Sequence, residues 1–521
     1  MKDIDTSTFD FPSIVTGNLL YVDKTEYIWK LIRKVKGEYF LSRPRRFGKS
    51  LLVSTLKAIF QGRRELFAGL AIDRLDYDWR KYPVIHLDLG SFGGRTSEEL
   101  AAFLTRRIAD CAAELEVQLT ATTPQEQFIE LIQKPCGDTP VVVLVDEYDK
   151  PILSNITSPQ ARELLRMLKG FYGVIKTCEA KIRFALVTGV SKFSHVSFFS
   201  ELNNLTDITL DPEYAALLGF TEIEIRKNFA DRLPVAAQAN NLPEEELMGG
   251  ILKWYDGYRF SRAQTHVCNP VSVSKFFARN GEFSNYWGNT GTPTFLLELA
   301  RDTRLDFEAA LQETYSESVF SAYELDRLPV VGLLWQTGYL TIRETIATPR
   351  LSTRYRLGFP DYEVQESFNE MLLDFYTERR EHGNQEFLFQ MMDALEADNH
   401  HAFLKLFQGF LATVPYNLHL KYEKYYQTIF FCVFELLNGA VEAESCTNAG
   451  RIDAVVRTSR TVFLFEFKLN RSAEEAVSQI LDRKFYEKYQ PLGLPIICIG
   501  ANFDSSTGQL TGWAETTLAE S

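Results

Sequence analysis

Short apolar runs alternate with amphipathic stretches through the first part of the chain. Tyr39-Phe40-Leu41, Pro83–Leu89, Val141–Val145, Ile182–Val187 and Asp207–Leu210 read as short strands. Between them, Glu26–Ile32, the stretch after Gly48, about 97–133 and about 159–177 space their apolar residues as helices do. Strands alternating with helices predict a parallel sheet joined by crossover connections. Residues 1–37 read as a helical lead-in. From Leu217 to about Tyr376 the pattern is mostly helical with aromatic-rich turns, and it predicts a two-stranded wing of Leu340–Arg343 with Tyr355–Leu357. Helices resume near Thr377, and Val455 to Ile499 returns to strands. The expected organisation is an α/β domain over 1–216, a helical, winged-helix-like region over 217–376, and a second α/β domain over 377–521. There is neither an internal repeat nor a low-complexity linker to sharpen these boundaries.

Composition narrows the class but not the chemistry. A chain of 521 residues and 59.7 kDa is too long for one core. Its 45% hydrophobic and 24% charged residues are ordinary for a globular protein. No apolar run is long enough to span a bilayer, and Met1-Lys2-Asp3-Ile4-Asp5 carries acids where a secretion signal needs basic and then apolar residues. The seven cysteines include no C-x-x-C pair, which speaks against a disulfide framework or a cysteine zinc site. The expectation is a cytoplasmic protein with no membrane partner. A net charge of −13 argues against non-specific coating of nucleic acid but leaves room for a local basic cleft.

The first candidate site lies where an apolar run meets a basic turn, Ser42-Arg43-Pro44-Arg45-Arg46-Phe47-Gly48-Lys49-Ser50-Leu51. A strand, a turn and Gly-Lys-Ser opening a helix are the layout of a phosphate-binding loop, in which backbone N–H groups and a helix N-terminus face a polyphosphate. In such a loop Lys49 reaches the β- and γ-phosphates and Ser50 ligates Mg²⁺. Arg43 stands where the general pattern G-x-x-x-x-G-K-[ST] has its first glycine, so Arg43 and Arg46 become candidates for phosphate contact. Downstream, Val141–Val145 stops at Asp146-Glu147, where an acid would hold Mg²⁺ and its neighbour would act as general base. Thr188, after the next strand, is placed to sense a γ-phosphate. The expected nucleotide set is therefore Arg43, Arg46, Gly48, Lys49, Ser50, Leu51, Asp146 and Thr188, with Glu147 catalytic and Ser50 and Asp146 on the metal.

These segments, together with Tyr21-Val22-Asp23-Lys24-Thr25, Val145–Pro151 and Thr188-Gly189-Val190-Ser191-Lys192, resemble the AAA-ATPase-like family of bacterial proteins. In that family the arginine in place of the first glycine is normal. The resemblance implies a P-loop ATPase fold, ATP and Mg²⁺ as cofactors, and a C-terminal domain of the PD-(D/E)XK nuclease superfamily. AAA-like sites that borrow a neighbour's arginine also make a homo-oligomer an expectation.

A second candidate site follows in that C-terminal part. Arg451–Val456 and Thr461–Lys468 predict a hairpin. Alternation along the second strand puts Glu466 and Lys468 on one face and Phe465 and Phe467 on the other. With the turn centred on Thr458-Ser459, Asp453 lies opposite Leu464, diagonal to Glu466 on the same face. Two carboxylates held this way suit Mg²⁺, which would activate water for phosphodiester cleavage, with Lys468 orienting that water or stabilising the charged centre. A helix over 473–489 brings Gln479 alongside, and Pro495–Ile499 adds a buried strand. Asp453, Glu466-Phe467-Lys468 and Gln479 resemble the PD-(D/E)XK motifs. The early glutamate is open among Glu423, Glu442 and Glu444, with Glu423 favoured. Catalytic expectations are Asp453, Glu466, Lys468, Gln479 and Glu423, with Asp453 and Glu466 as metal ligands. The substrate expected is nucleic acid, DNA ahead of RNA. The alternative is an ATP-gated regulator whose C-terminal domain binds nucleic acid or protein without cutting it. His400-His401 reads as a solvated helical face without partner ligands.

Overall fold

The structure is a computed structural model that describes residues 2–135, 139–192, 204–288, 296–297, 299, 307–320, 329–348, 352–377, 384–413, 429, 432–437, 442–443, 446–447, 450–504, 507 and 509–518. Two compact units divide the chain, residues 1–299 with 311–364 and residues 300–310 with 365–521.

The first unit is built on a five-stranded sheet of β1 (Gly37–Ser42), β2 (Val84–Asp88), β3 (Val141–Asp146), β4 (Ile182–Gly189) and β5 (Thr206–Asp207), in the order β2-β3-β4-β1-β5. Every pairing is parallel. β3 is buried along its whole length, which is why its sequence is an unbroken β-branched and aliphatic run rather than an alternating one. Helices flank the sheet, and two of them start where a threonine side chain supplies the cap. Thr96 and Glu99 form a reciprocal capping box for Ser97–Glu114, and Thr123 caps Pro124–Gln133, with proline at the first turn. The strand order separates β1, which feeds the Gly-Lys-Ser turn, from β3, which ends in acids, by inserting β4 between them. Loop, acid and Thr188 thus converge at the carboxyl edge of the sheet, where open α/β sheets bind ligands.

Residues beyond Leu217 in this unit form helices Glu222–Asn228, Leu233–Ala239, Glu244–Tyr255 and Pro270–Ala278 around a core of Ile225, Phe229, Ile251, Tyr255 and Phe276, joined by Val22 of the lead-in. The wing has three described strands, not the expected two: β6 (Thr314–Ser316), β7 (Thr341–Ala347) and β8 (Thr353–Gly358), in the antiparallel order β6-β8-β7. β6 pairs through a short stretch, Thr314-Tyr315-Ser316, that carries little strand pattern of its own.

The second unit has a mixed sheet of β9 (Glu442–Ala443), β12 (Ala454–Arg457), β13 (Val462–Leu469), β14 (Ile496–Asp504) and β15 (Gln509–Leu518), in the order β15-β14-β13-β12-β9. A separate two-residue ladder, β10 (Cys446–Thr447) with β11 (Gly450–Arg451), precedes β12. β13 and β14 run parallel, and the helix Ala473–Asp482, capped by Ser472, connects them. One face of β13 carries Phe463, Phe465 and Phe467, and Phe465 meets Phe403 of the helix His400–Ala412 and Phe434 at ring distances of 5.7 and 5.3 Å. Leu464 on the opposite face joins Val455, Ile480 and Cys498 in a second apolar layer. The alternation expected for this strand is the alternation observed. Among the described residues no helix is long and apolar enough to cross a membrane.

Candidate functional site

At the first site β1 ends at Ser42, and Gly48, with φ of +88°, caps the helix Lys49–Phe60. A side chain at Gly48 would meet open space, but the backbone angle favours glycine. The mouth of the turn is therefore bare backbone at a helix N-terminus. Lys49 is 6% exposed, and its ammonium donates to the carbonyls of Arg43 and Pro44, 2.9 Å from each. Burial pulls the Lys49 ammonium down, against the opposing charges of Asp146, Glu147 and Asp149. Ser50 and Leu51 follow in the first turn, both half-buried.

Arg43 does not line that mouth, which corrects the phosphate contact expected of its side chain. It is 1% exposed. Its Nη1 donates to the carbonyls of Ser42 and Thr209 at 2.9 and 2.7 Å, its Nη2 to the carbonyl of Tyr214 at 3.3 Å, and the guanidinium lies 4.2 Å from the Phe260 ring. Arginine replaces glycine here because its side chain ties the loop to the segment after β5. Arg46, with φ of +66°, donates from Nη1 to the Tyr286 carbonyl at 2.7 Å. Glu363 in turn accepts from the backbone of Tyr286 and, at 2.7 and 2.8 Å, from Trp287 N and Ser272 Oγ; burial pushes its carboxyl up to about 7.

Across the mouth, Asp146 is 3% exposed and accepts from Thr188 Oγ1 at 2.5 Å and from the amide of Glu147 at 3.0 Å. Thr188 thus orients the acid. Glu147 has φ of +51°, and burial raises its carboxyl above the usual range. Two neighbours of Glu147 escaped the sequence reading. Asp88 ends β2 level with Asp146, and its Oδ1 accepts from Gly90 N at 2.7 Å. A Cβ at Gly90 would sit 2.9 Å from Glu147 Oε2 and 3.0 Å from Asp88 Oδ1, so the carboxylates need a glycine there. The signal was present: β2, like β3, is an apolar run stopping at an acid.

The sequence reading also missed a cavity of about 130 Å³ beside the turn, lined by Gly48, Leu51 and Leu52, by Phe9, Tyr21 and Val22 of the lead-in, and by Leu217–Phe220 and Pro270-Val271. Lys24 lines it too, and hydrogen bonds of its neighbours hold Tyr21–Thr25 in place. Asp23 accepts from Thr25 N and Oγ1 at 2.9 and 2.6 Å and from Ala71 N at 2.7 Å, while Lys24 pairs with Glu224 at 2.6 Å.

At the second site, β12 and β13 pair Ala454 with Phe465 and Arg457 with Val462, so the turn centres on Ser459-Arg460 rather than Thr458-Ser459. Continuing this register sets Asp453 level with Glu466, closer than the diagonal relation expected, and Asp453 Oδ2 accepts from Phe467 N at 2.7 Å. Lys468 Nζ donates to Glu466 Oε1 at 3.0 Å and to Gln479 Oε1 at 2.6 Å; Gln479 Nε2 also donates to Glu466 Oε1. Glu466 is 4% exposed, and its Oε2 is buried without a hydrogen-bond partner among the described residues. Burial, then the Asp453 charge, pushes the Glu466 carboxyl up to about 7. The structure brings Asp453, Glu466, Lys468 and Gln479 together. Glu423 and Glu444 lie outside the described residues, while Glu442 is in β9, paired with Arg457.

Comparison with known proteins matches the stretches of chain that hold the two sites. Residues 6–199 match the AAA-ATPase-like family, described as "Predicted AAA-ATPase". Residues 421–513 match the PD-(D/E)XK nuclease superfamily. The chain belongs to the AAA-ATPase-like family and carries a C-terminal domain of that nuclease superfamily. It is also similar to a protein of Azotobacter chroococcum mcd 1 named "Uncharacterized protein in vnfD 5'region", 38% identical over 514 residues, with 96% of this chain and 95% of the relative covered.

Proposed function

We propose that this protein is an ATP-binding P-loop ATPase whose second unit is a Mg²⁺-dependent nuclease acting on nucleic acid, DNA ahead of RNA. The observation that carries the reading is the buried Oε2 of Glu466, without a hydrogen-bond partner among the described residues, on a residue level with Asp453 and flanked by Lys468 and Gln479. A buried carboxylate oxygen left without a donor is costly in a bare fold and is satisfied by a cation. Asp453 and Glu466 offer the oxygen donors a hard divalent ion takes. Bound there, Mg²⁺ would supply an activated water and neutralise phosphate charge. Lys468 donates a proton-rich, positively charged group at the same point, and Gln479 fixes its direction.

In the first unit, the open turn at Gly48, the Lys49 ammonium and the Ser50 hydroxyl suit a triphosphate. The cavity beside the turn fits the base end of the same ligand, being walled mostly by apolar side chains. Lys49 would exchange its two carbonyl partners for phosphate oxygens, Asp146 with Ser50 would hold Mg²⁺, and Glu147 would take the proton of the attacking water.

The test is cleavage of plasmid, linear and single-stranded DNA and of RNA with Mg²⁺, with and without ATP. Cleavage abolished by Asp453→Ala and by Lys468→Ala supports the reading. Cleavage that survives both substitutions refutes the assignment. Tight binding without cleavage of any substrate turns the second unit into a nucleotide-gated binding module.

A further inference from the structure

His400 and His401 open the helix His400–Ala412 and were expected to face solvent without partners. The structure gives them one. Glu515, on the edge strand β15, places Oε2 at 2.8 Å from His400 Nε2 and Oε1 at 3.4 Å from His401 Nε2. We propose that His400, His401 and Glu515 form a site for a divalent transition metal of the zinc class, clipping the start of this helix to the sheet edge.

The geometry is close to what such an ion needs. One donor atom from each residue lies within 4.8 Å of the others. Bonds of roughly 2.0–2.2 Å in a tetrahedron put neighbouring donors about 3.3–3.5 Å apart, so small side-chain rotations close the site. Aromatic packing sets both rings: His400 lies 5.5 Å from the Phe463 ring, His401 6.4 Å from the Trp513 ring, and the two imidazoles 4.4 Å from each other. His401 is more than half exposed, so an ion can arrive from solvent. Two imidazoles and one carboxylate favour zinc, nickel or copper over Mg²⁺, which takes oxygen donors. The site is thus chemically distinct from the all-oxygen pair Asp453 and Glu466.

One feature limits affinity. Metal on Nε2 puts the His400 proton on Nδ1, which is buried without a hydrogen-bond partner among the described residues. Ligand histidines normally have such a partner, and its loss weakens binding by about 10–100-fold, so the expected dissociation constant is micromolar rather than nanomolar.

The experiment titrates the chelator-treated full-length protein with Zn²⁺ by calorimetry and with Co²⁺ by visible absorption, and follows Tm. Expected are one ion per chain, a tetrahedral Co²⁺ spectrum, and a Tm that rises with Zn²⁺, all retained in Asp453→Ala. His401→Ala and Glu515→Gln should each weaken Zn²⁺ by at least about tenfold and remove the Tm rise. Glu515→Gln keeps shape and size, so it reports even where His401→Ala misfolds. Zn²⁺ binding that is unchanged in Glu515→Gln, or no stoichiometric binding up to about 100 µM, corresponding to a free energy weaker than about −5.5 kcal/mol, overturns the proposal.

Discussion

Lys468 reaches one oxygen of Glu466 and not the other: its ammonium donates to Oε1 at 3.0 Å, while Oε2 is buried with no hydrogen-bond partner among the described residues. Gln479 adds its own donation to the same Oε1. The carboxylate is thus half-compensated and asymmetric, and the Asp453 charge adds to the strain on it. That asymmetry carries a cost in stability, and the cation proposed for the second unit would relieve it.

The cost has a pH signature. Glu466 titrates near 7 in the folded protein, against a usual glutamate value near 4.5. The folded state therefore holds its proton more tightly than the unfolded chain between these values, and stability falls as pH rises from about 4.5 to 7. Glu466→Gln removes the penalty. It should stabilise the second unit by roughly 1–3 kcal/mol at pH 8 and hardly at all at pH 4.5, read from urea unfolding at both pH values. Saturating Mg²⁺ should raise the wild-type Tm at pH 8 and leave that of Glu466→Gln nearly unmoved.

Lys49 and Arg43 should separate binding from folding. Lys49→Ala removes charge-assisted bonds to phosphate, so ATP affinity should fall by about 10–100-fold. Calorimetry well below the melting temperature measures this, because the variant also strands the Arg43 and Pro44 carbonyls and loses some Tm. Unchanged affinity would refute the phosphate-loop reading.

Arg43→Met should do the reverse. The guanidinium satisfies three backbone carbonyls in a buried setting, so its loss strands those acceptors and should destabilise the first unit by about 2–4 kcal/mol. Arg43→Lys should recover little of this, since an ammonium cannot reproduce the fork. Denaturant midpoints decide it.

Gly90→Ala tests how Glu147 is held. The new methyl carbon would lie 2.9 Å from Glu147 Oε2, displacing the carboxylate without touching the loop. ATP hydrolysis should drop at least about tenfold while ATP affinity stays within about twofold of wild type, since only the group proposed for the chemical step has moved. A parallel loss of affinity would place Gly90 in the binding path instead.

Much of this was legible along the chain. Val141–Val145 announced a buried strand because parallel strands covered on both faces need no polar alternation. Period-two alternation from Phe463 to Lys468 fixed which side chains share a face with Glu466, since neighbouring strand residues must point to opposite sides. Gly48-Lys49-Ser50 after an apolar run marked a helix start. These are local facts, set by backbone geometry within a few residues.

Tertiary structure decided the rest. Whether Arg43 meets phosphate or carbonyls depended on where residues 209–214 return to the sheet, well over a hundred positions away. The one-residue shift of the hairpin turn, which moved Asp453 level with Glu466, kept every residue on its expected face, so the face pattern could not reveal it. Glu515 reached His400 and His401 only because β15 forms the sheet edge beside their helix. Pairings of that kind are chosen by packing between distant segments, and periodicity within a segment carries no record of them.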